Sequence, residues 1–222
     1  MPTRSLIIAI DGPSGAGKGT LARAVARALN YRHVDTGAMY RAVAWKAVRE
    51  GVALDDESAV AALADRATLD TNEERVVIDG HDVTRAIRTP EIDRAATAVA
   101  RLPRVREILV ARQRALGRGG GVVMEGRDIG TVVFPDADVK LYLDASAEER
   151  ARRRASDPAH TSGQGTLVGV QHDLQARDRS DSTRAVAPLA VADDAIYVDT
   201  TGLAIDDVVG RVMEIVRGKL RN

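Results

Sequence analysis

Ser5-Leu6-Ile7-Ile8-Ala9-Ile10-Asp11-Gly12-Pro13-Ser14-Gly15-Ala16-Gly17-Lys18-Gly19-Thr20 is the stretch whose reading decides the fold. Ser5 to Asp11 is short, apolar and rich in Ile, which is the pattern of a buried strand. Leu21 to Leu29 has apolar residues at helical spacing. Between them Gly12, Gly17 and Lys18 satisfy G-x-x-x-x-G-K. A glycine-rich turn between strand and helix places successive backbone N–H groups around an anion, and the new helix adds its unpaired donors. Lys18 then supplies a point charge for terminal phosphates. Gly12, Pro13, Ser14, Gly15, Ala16, Gly17, Lys18, Gly19 and Thr20 are therefore the expected nucleoside triphosphate loop. The residue after Lys18 is Gly19, so the hydroxyl comes one place late, at Thr20, the candidate for Mg²⁺.

Working outward, Tyr31 to Asp35 reads as a second strand and Thr36 as the N-cap of a helix ending near Gly51. This β–α–β–α opening implies a parallel sheet flanked by helices, an α/β class of P-loop NTPase type. Asp55 to Arg66 reads as helix. Ala67–Asp70, Arg75–Asp79 and Asp82–Thr84 are short strands separated by turn residues, a small antiparallel insertion. Pro90 and Pro103 each start a helix. Val122–Glu125, Val139–Leu143 and Ala195–Asp199 resume the parallel sheet. Ser146 caps a helix running into Arg150, Arg152, Arg153 and Arg154, and Asp157 to Gly165 reads as a mobile loop. Leu167 to Asp181 is helical, and Ile205 to Leu220 carries one apolar stripe.

The 222 residues suffice for one well-buried core. Basic and acidic residues balance at 32 each, which argues against a nucleic-acid or anionic-membrane binder. Aromatics at 3% leave little for base stacking. There is no Cys, so disulfides, thiolate metal sites and Cys nucleophiles are excluded. No apolar run is long enough to span a bilayer, and no signal peptide is evident. The expectation is a cytoplasmic monomer without a nucleic-acid or membrane partner.

Ligands of parallel α/β sheets sit at the carboxyl ends of the strands. Asp11, Asp35-Thr36-Gly37, Gly126-Arg127-Asp128 and Asp144 all follow strands and converge there. A second cluster places Arg177, Asp181 and Arg184 at i, i+4 and i+7, one face of a helix. A third, Arg150 to Arg154, precedes the loop and can supply cations on closure. Each alone also reads as a solvated ion-paired surface.

Taken together these segments resemble the bacterial cytidylate kinases of the nucleoside monophosphate kinase family. The resemblance rests on Ile10 to Thr20, Asp35 to Arg41, Pro103 to Arg106, Gly126 to Asp136 and Arg177 to Leu189. It implies ATP, with Mg²⁺, as phosphoryl donor and CMP or dCMP as acceptor. By the same resemblance, Thr36 and Arg41 line the monophosphate side. Thr97, Arg106 and Asp128 face the cytosine, and Arg177 and Asp181 contact the sugar and phosphate. Arg127, Arg184, Arg41, Lys18 and Arg154 surround the transferring group. Residues 1–36, 101–149 and 182–222 correspond to a core, 37–100 to the CMP-binding part, and 150–166 to a lid, all within one domain. The hydrogen-bonding pattern agrees. Asp128 can accept from the cytosine amine while Arg106 donates to N3 and O2, a pattern that uracil inverts.

Two rivals remain at this level. One is a P-loop kinase for another small acceptor, such as uridylate or shikimate; the Thr97, Arg106 and Asp128 constellation speaks for cytidine. The other is a nucleotide switch, and the chain lacks the Asn-Lys-x-Asp stretch of a guanine reader.

Overall fold

The computed structural model describes residues 5–72, 75–157 and 166–220. β1 (Ile7–Asp11) is the central strand. It pairs in parallel with β6 (Val122–Glu125) on one side and β7 (Val139–Asp144) on the other. β2 (Arg32–Asp35) lies beyond β6 and β8 (Ile196–Asp199) beyond β7, giving a five-stranded parallel sheet in the order β2-β6-β1-β7-β8. Helices cover the sheet on both sides at β1, so Ile8 to Asp11 are buried whichever face they point to. That explains its unbroken apolar run.

Alternate residues of β1 serve two layers. Ile8 and Ile10 pack with α1 (Lys18–Leu29) and α8 (Ile205–Leu220), in a core that includes Leu21, Val25, Leu141, Val198 and Val212. Ile7 and Ala9 face the opposite layer. It is built from α2 (Thr36–Arg49), α3 (Glu57–Arg66), α4 (Pro90–Val99) and α5 (Pro103–Gly117). The second sheet is antiparallel, β3 (Leu69–Thr71), β4 (Val76–Ile78) and β5 (His81–Asp82). Its own small core of Val76, Ile78, Val83, Ile87 and Ile92 packs against Ala38 and Ala42. α2 therefore belongs to both cores, with Met39, Tyr40 and Val43 in the larger one.

Several local expectations shift. Asp35, not Thr36, caps α2, its carboxylate accepting from Ala38 N at 2.9 Å. Thr36 is the first helical residue and spends its hydroxyl on Glu125 O at 2.7 Å, stitching β2 to β6. The third antiparallel strand is His81–Asp82 rather than Asp82–Thr84, because Thr84 turns back to bond Asp82. α6 (Ala147–Ala155) does start at the Ser146 cap, which accepts from Glu149 N. α7 (Leu167–Ser182) ends before Arg184, so that residue is not on the helix face with Arg177 and Asp181. The loop expected from Asp157 to Gly165 lies outside the described residues from 158 onward.

The turn after β1 depends on a close backbone approach. Gly12 has φ +144°, and a Cβ there would lie 2.0 Å from Leu143 O. Gly12→Ala is expected to cost about 3 kcal/mol or more, since both the strain and the clash are with backbone. Urea unfolding measures it, and a midpoint matching the parent would refute this packing.

Candidate active site

The carboxyl ends of β1, β2 and β6 open into one cavity of about 470 Å³. Its floor is the loop from Ser14 to Thr20, and its walls carry side chains from α2, α4, α5, α6 and α7. Gly17, in the left-handed conformation at φ 91°, turns the chain into α1. Arg150 braces the loop from behind, donating to Ser14 O at 3.1 Å and pairing with Asp178. Lys18 is buried and folds back onto Pro13 O at 2.7 Å. Burial first, then the charge of Arg127, lowers its pKa to about 7. Of the loop residues expected to meet phosphate, Gly12 and Pro13 line neither this cavity nor the smaller one described below. Gly12 is packed against Leu143.

Asp11 does not face the cavity. Its two carboxylate oxygens accept from Ile129 N at 2.8 Å and Gly130 N at 2.7 Å. They thereby fix the π-helical turn Ile129–Val133 that follows the Gly126-Arg127-Asp128 corner. Burial raises the Asp11 pKa to about 6 in spite of these two bonds. Gly126 is required at the corner: a Cβ would lie 2.7 Å from both Ile129 Cδ1 and Thr36 Oγ1.

All nine substrate-side residues named from the sequence line this cavity: Thr36, Arg41, Thr97, Arg106, Arg127, Asp128, Arg177, Asp181 and Arg184. Arg154 joins them. At one end Arg106 and Asp128 form a buried ion pair, and Arg106 also donates to Ala100 O at 3.2 Å and lies over the Tyr40 ring. Thr97, on α4, also lines the cavity and donates its hydroxyl to Asp93 O at 2.9 Å. Around the middle, Arg127 binds Asp181 at 2.8 Å, and Arg184 approaches Asp181 at 3.8 Å. Arg184 gets there from beyond α7 by a turn in which it donates to Ala187 O at 2.6 Å. Arg177 is pushed down to about 10 by burial and by its neighbours Arg41 and Arg127, and stays cationic at neutral pH. The buried Nε atoms of Arg106, Arg177 and Arg184 have no hydrogen-bond partner, although these are groups with a strong need for one. A wall of cationic donors with unspent N–H groups is suited to phosphate oxygens.

Sequence reasoning missed three participants, Asp93, Arg88 and Glu125, and left Arg153 as one member of a basic run. Asp93 on α4 pairs with Arg41, Arg154 and Arg177. Arg88 reaches Asp35 at 3.3 Å, and with Arg41 holds that carboxyl well below the usual range against the opposing effect of burial. Glu125, buried at the end of β6, binds His33 Nε2 at 3.0 Å and lies against Gly19, where a Cβ would sit 3.1 Å from its Oε1. Arg153 stands between the main cavity and a second one of about 240 Å³, lined by Gly17, Leu143, Leu203 and Ile205. Only the position of Asp93 left a trace in the sequence, one helical turn before Thr97. Within the basic run, Arg152 is spent on Glu148 and Glu149 at the surface, the solvated reading of that cluster.

A family model described as Cytidylate kinase matches residues 8–218. The chain belongs to the cytidylate kinase family. Among relatives named cytidylate kinase, that of Desulfitobacterium hafniense (strain Y51) is 50% identical over 220 residues, covering 98% of this chain and 95% of the relative. That of Geobacillus sp. (strain WCH70) is 48% identical over 217 residues, covering 96% and 97%. The fold is also similar to that of the shikimate kinase of Bacteroides thetaiotaomicron. That structure has a TM-score of 0.52 at 14% identity, with coverage of 96% and 98%. Among the described residues no helix is long and apolar enough to cross a membrane.

Lys18 gives a pH test of whether this cavity takes a triphosphate. Its folded pKa lies below the ordinary value of 10.5, so between about 7 and 10.5 the folded protein lacks a proton that the unfolded chain keeps. A triphosphate seated on the loop favours the charged lysine and restores that proton. Titration calorimetry with ATP at pH 8, in two buffers of different ionisation enthalpy, should show close to one proton taken up. Lys18→Met should abolish the uptake; equal uptake by that variant would remove Lys18 from the phosphate site.

Proposed function

We propose that the protein transfers the γ-phosphoryl group of ATP to CMP and dCMP, giving CDP or dCDP and ADP. The observation that carries this reading is the buried Arg106–Asp128 pair. It lies in the same cavity as the phosphate loop, in a chain of the cytidylate kinase family. Asp128 accepts from the cytosine amine, and Arg106 donates to the ring acceptors through N–H groups its protein partners leave free. Thr97 completes the base pocket. Uracil in that pocket sets acceptor against acceptor at Asp128, and one buried mismatch of this kind costs roughly 1–3 kcal/mol.

The triphosphate lies along Ser14 to Thr20, with Lys18 leaving Pro13 O for the terminal phosphates. The second cavity, with Arg153 at its mouth, takes the donor's base. Arg41 and Thr36 hold the acceptor phosphate, and Arg177 and Asp181 reach its sugar and phosphate. An oxygen of the acceptor phosphate attacks the γ-phosphorus in line. The bond to the β–γ bridging oxygen breaks, and ADP leaves with the electron pair. Lys18, Arg127, Arg154 and Arg184 meet the charge on the three equatorial oxygens, so the reaction needs no side-chain nucleophile.

Among the described residues no cluster of three or more acidic or imidazole groups forms a metal cage. The Thr20 hydroxyl and the Glu125 carboxylate line the cavity beside the loop and fit a Mg²⁺ ion carried mainly by the triphosphate. When bound, that ion supplies further positive charge to the phosphates. A cytoplasmic monomer acting on free nucleotides completes this reading.

A coupled assay across acceptors is expected to show CMP and dCMP turned over far better than UMP or AMP; equal turnover of AMP would overturn it. Asp128→Asn should narrow CMP-over-UMP selectivity ten- to a hundredfold, on the order of 1–3 kcal/mol. Unchanged selectivity would show that another group reads the amine. Lys18→Ala should lower kcat by about a hundredfold or more while the thermal midpoint stays near that of the parent.

A further inference from the structure

Asp93 sits in the first turn of α4, where no element of the mechanism above calls for a carboxylate. Its Oδ1 accepts from Arg41 Nε at 2.9 Å and stands 3.4 Å from Arg177 Nη1, and its Oδ2 is bound by Arg154. The three arginines come from α2, α7 and α6, so one side chain ties together three elements that border the cavity. The arrangement is undersupplied. Two carboxylate oxygens serve three guanidinium groups, the Arg177 contact is long, and Arg177 Nε is buried without a partner. A tetrahedral phosphate offers three oxygens and a second charge to the same donors. Burial opposes ionisation of Asp93, yet Arg41, Arg177 and Arg154 together hold it well below the usual carboxylate range, so it is anionic whenever the acceptor arrives.

We propose that Asp93 is an internal counter-anion that competes with the acceptor's phosphoryl group for Arg41, Arg154 and Arg177. In the free protein it keeps the three like charges together. Acceptor binding transfers them from the carboxylate to the phosphate, and product release hands them back. Asp93 is a positioning residue and touches no reacting atom. The proposal rests on the acceptor reading given above.

The competition acts on phosphate and not on the base, which makes it separable from a general effect on folding. Affinities for CMP and for cytidine are measured by calorimetry on the parent and on Asp93→Asn. The amide keeps the shape and loses the charge. Asp93→Asn should bind CMP about tenfold more tightly, with cytidine unchanged. KM for CMP and the inhibition constant of CDP should fall together. Pyrophosphate should raise the thermal midpoint of Asp93→Asn more than that of the parent. Unchanged or weaker CMP binding, or an equal gain for cytidine, would overturn the proposal. If the amide variant does not fold, Asp93→Ser carries the same comparison. A parent protein that ignores CMP overturns the acceptor reading itself. That result is distinct from a parent that binds CMP and is unaffected by the substitution.

Discussion

Arg41, Arg127, Arg154, Arg177 and Arg184 share one cavity with Lys18; Arg41, Arg184 and Lys18 are buried and the other three are partly buried. Like charges at such spacing repel, and burial removes the solvent that would screen them. The fold holds them by interleaving carboxylates: Asp93 among three arginines, Asp181 between Arg127 and Arg184, Asp35 against Arg88, Asp128 on Arg106. Even so the balance is incomplete. Burial first, then the neighbouring arginines, pushes Lys18 down to about 7 and Arg177 to about 10, and buried guanidinium N–H groups stay unpaired. A site left electrostatically short in this way is completed by an anion, which is the property that phosphoryl transfer uses.

The backbone makes that crowding possible. A parallel sheet sends the ends of β1, β2 and β6 to one edge, so Lys18, Thr36 and Arg127 meet there although they are distant in the chain. Asp11 is spent on backbone rather than ligand. By holding Ile129 and Gly130 it fixes the corner that points Arg127 and Asp128 into the cavity. α2 contributes to the main core with one face and to the antiparallel insertion's core with another, which ties that wall of the cavity to the sheet. Rigid strands and helices thus position these groups, and Arg154 approaches from the end of α6.

The readable parts were those whose signal is local. Strand, glycine turn and helix around Gly12 to Thr20 follow from short-range sterics, and Gly126-Arg127-Asp128 follows directly on a strand. The failures have local causes too. Thr36 and Asp35 are both good caps, and the choice went to Asp35 because Glu125 O claims the threonine hydroxyl. The i, i+4, i+7 spacing of Arg177, Asp181 and Arg184 imitates a continuous helix. The helix stops at Ser182, Ala187 takes φ +51°, and Leu189 N turns back to Asp181 O at 2.9 Å. Pro188, which disfavours helix in the residue before it, was the sign that the periodicity would not persist.

By itself the sequence determined a P-loop α/β fold, its sheet-forming strands, its phosphate loop, and the arginine and aspartate residues at the strand ends. Those features depend on residue type and on neighbours a few positions away. Only the tertiary structure decided which charges meet. Asp93 with Arg41, Arg154 and Arg177, and Glu125 with His33, join segments tens of residues apart, and no spacing along the chain encodes those distances. They follow from which helix packs over which strand end. That is set by the burial of two apolar layers against the sheet, and not by the charged residues themselves.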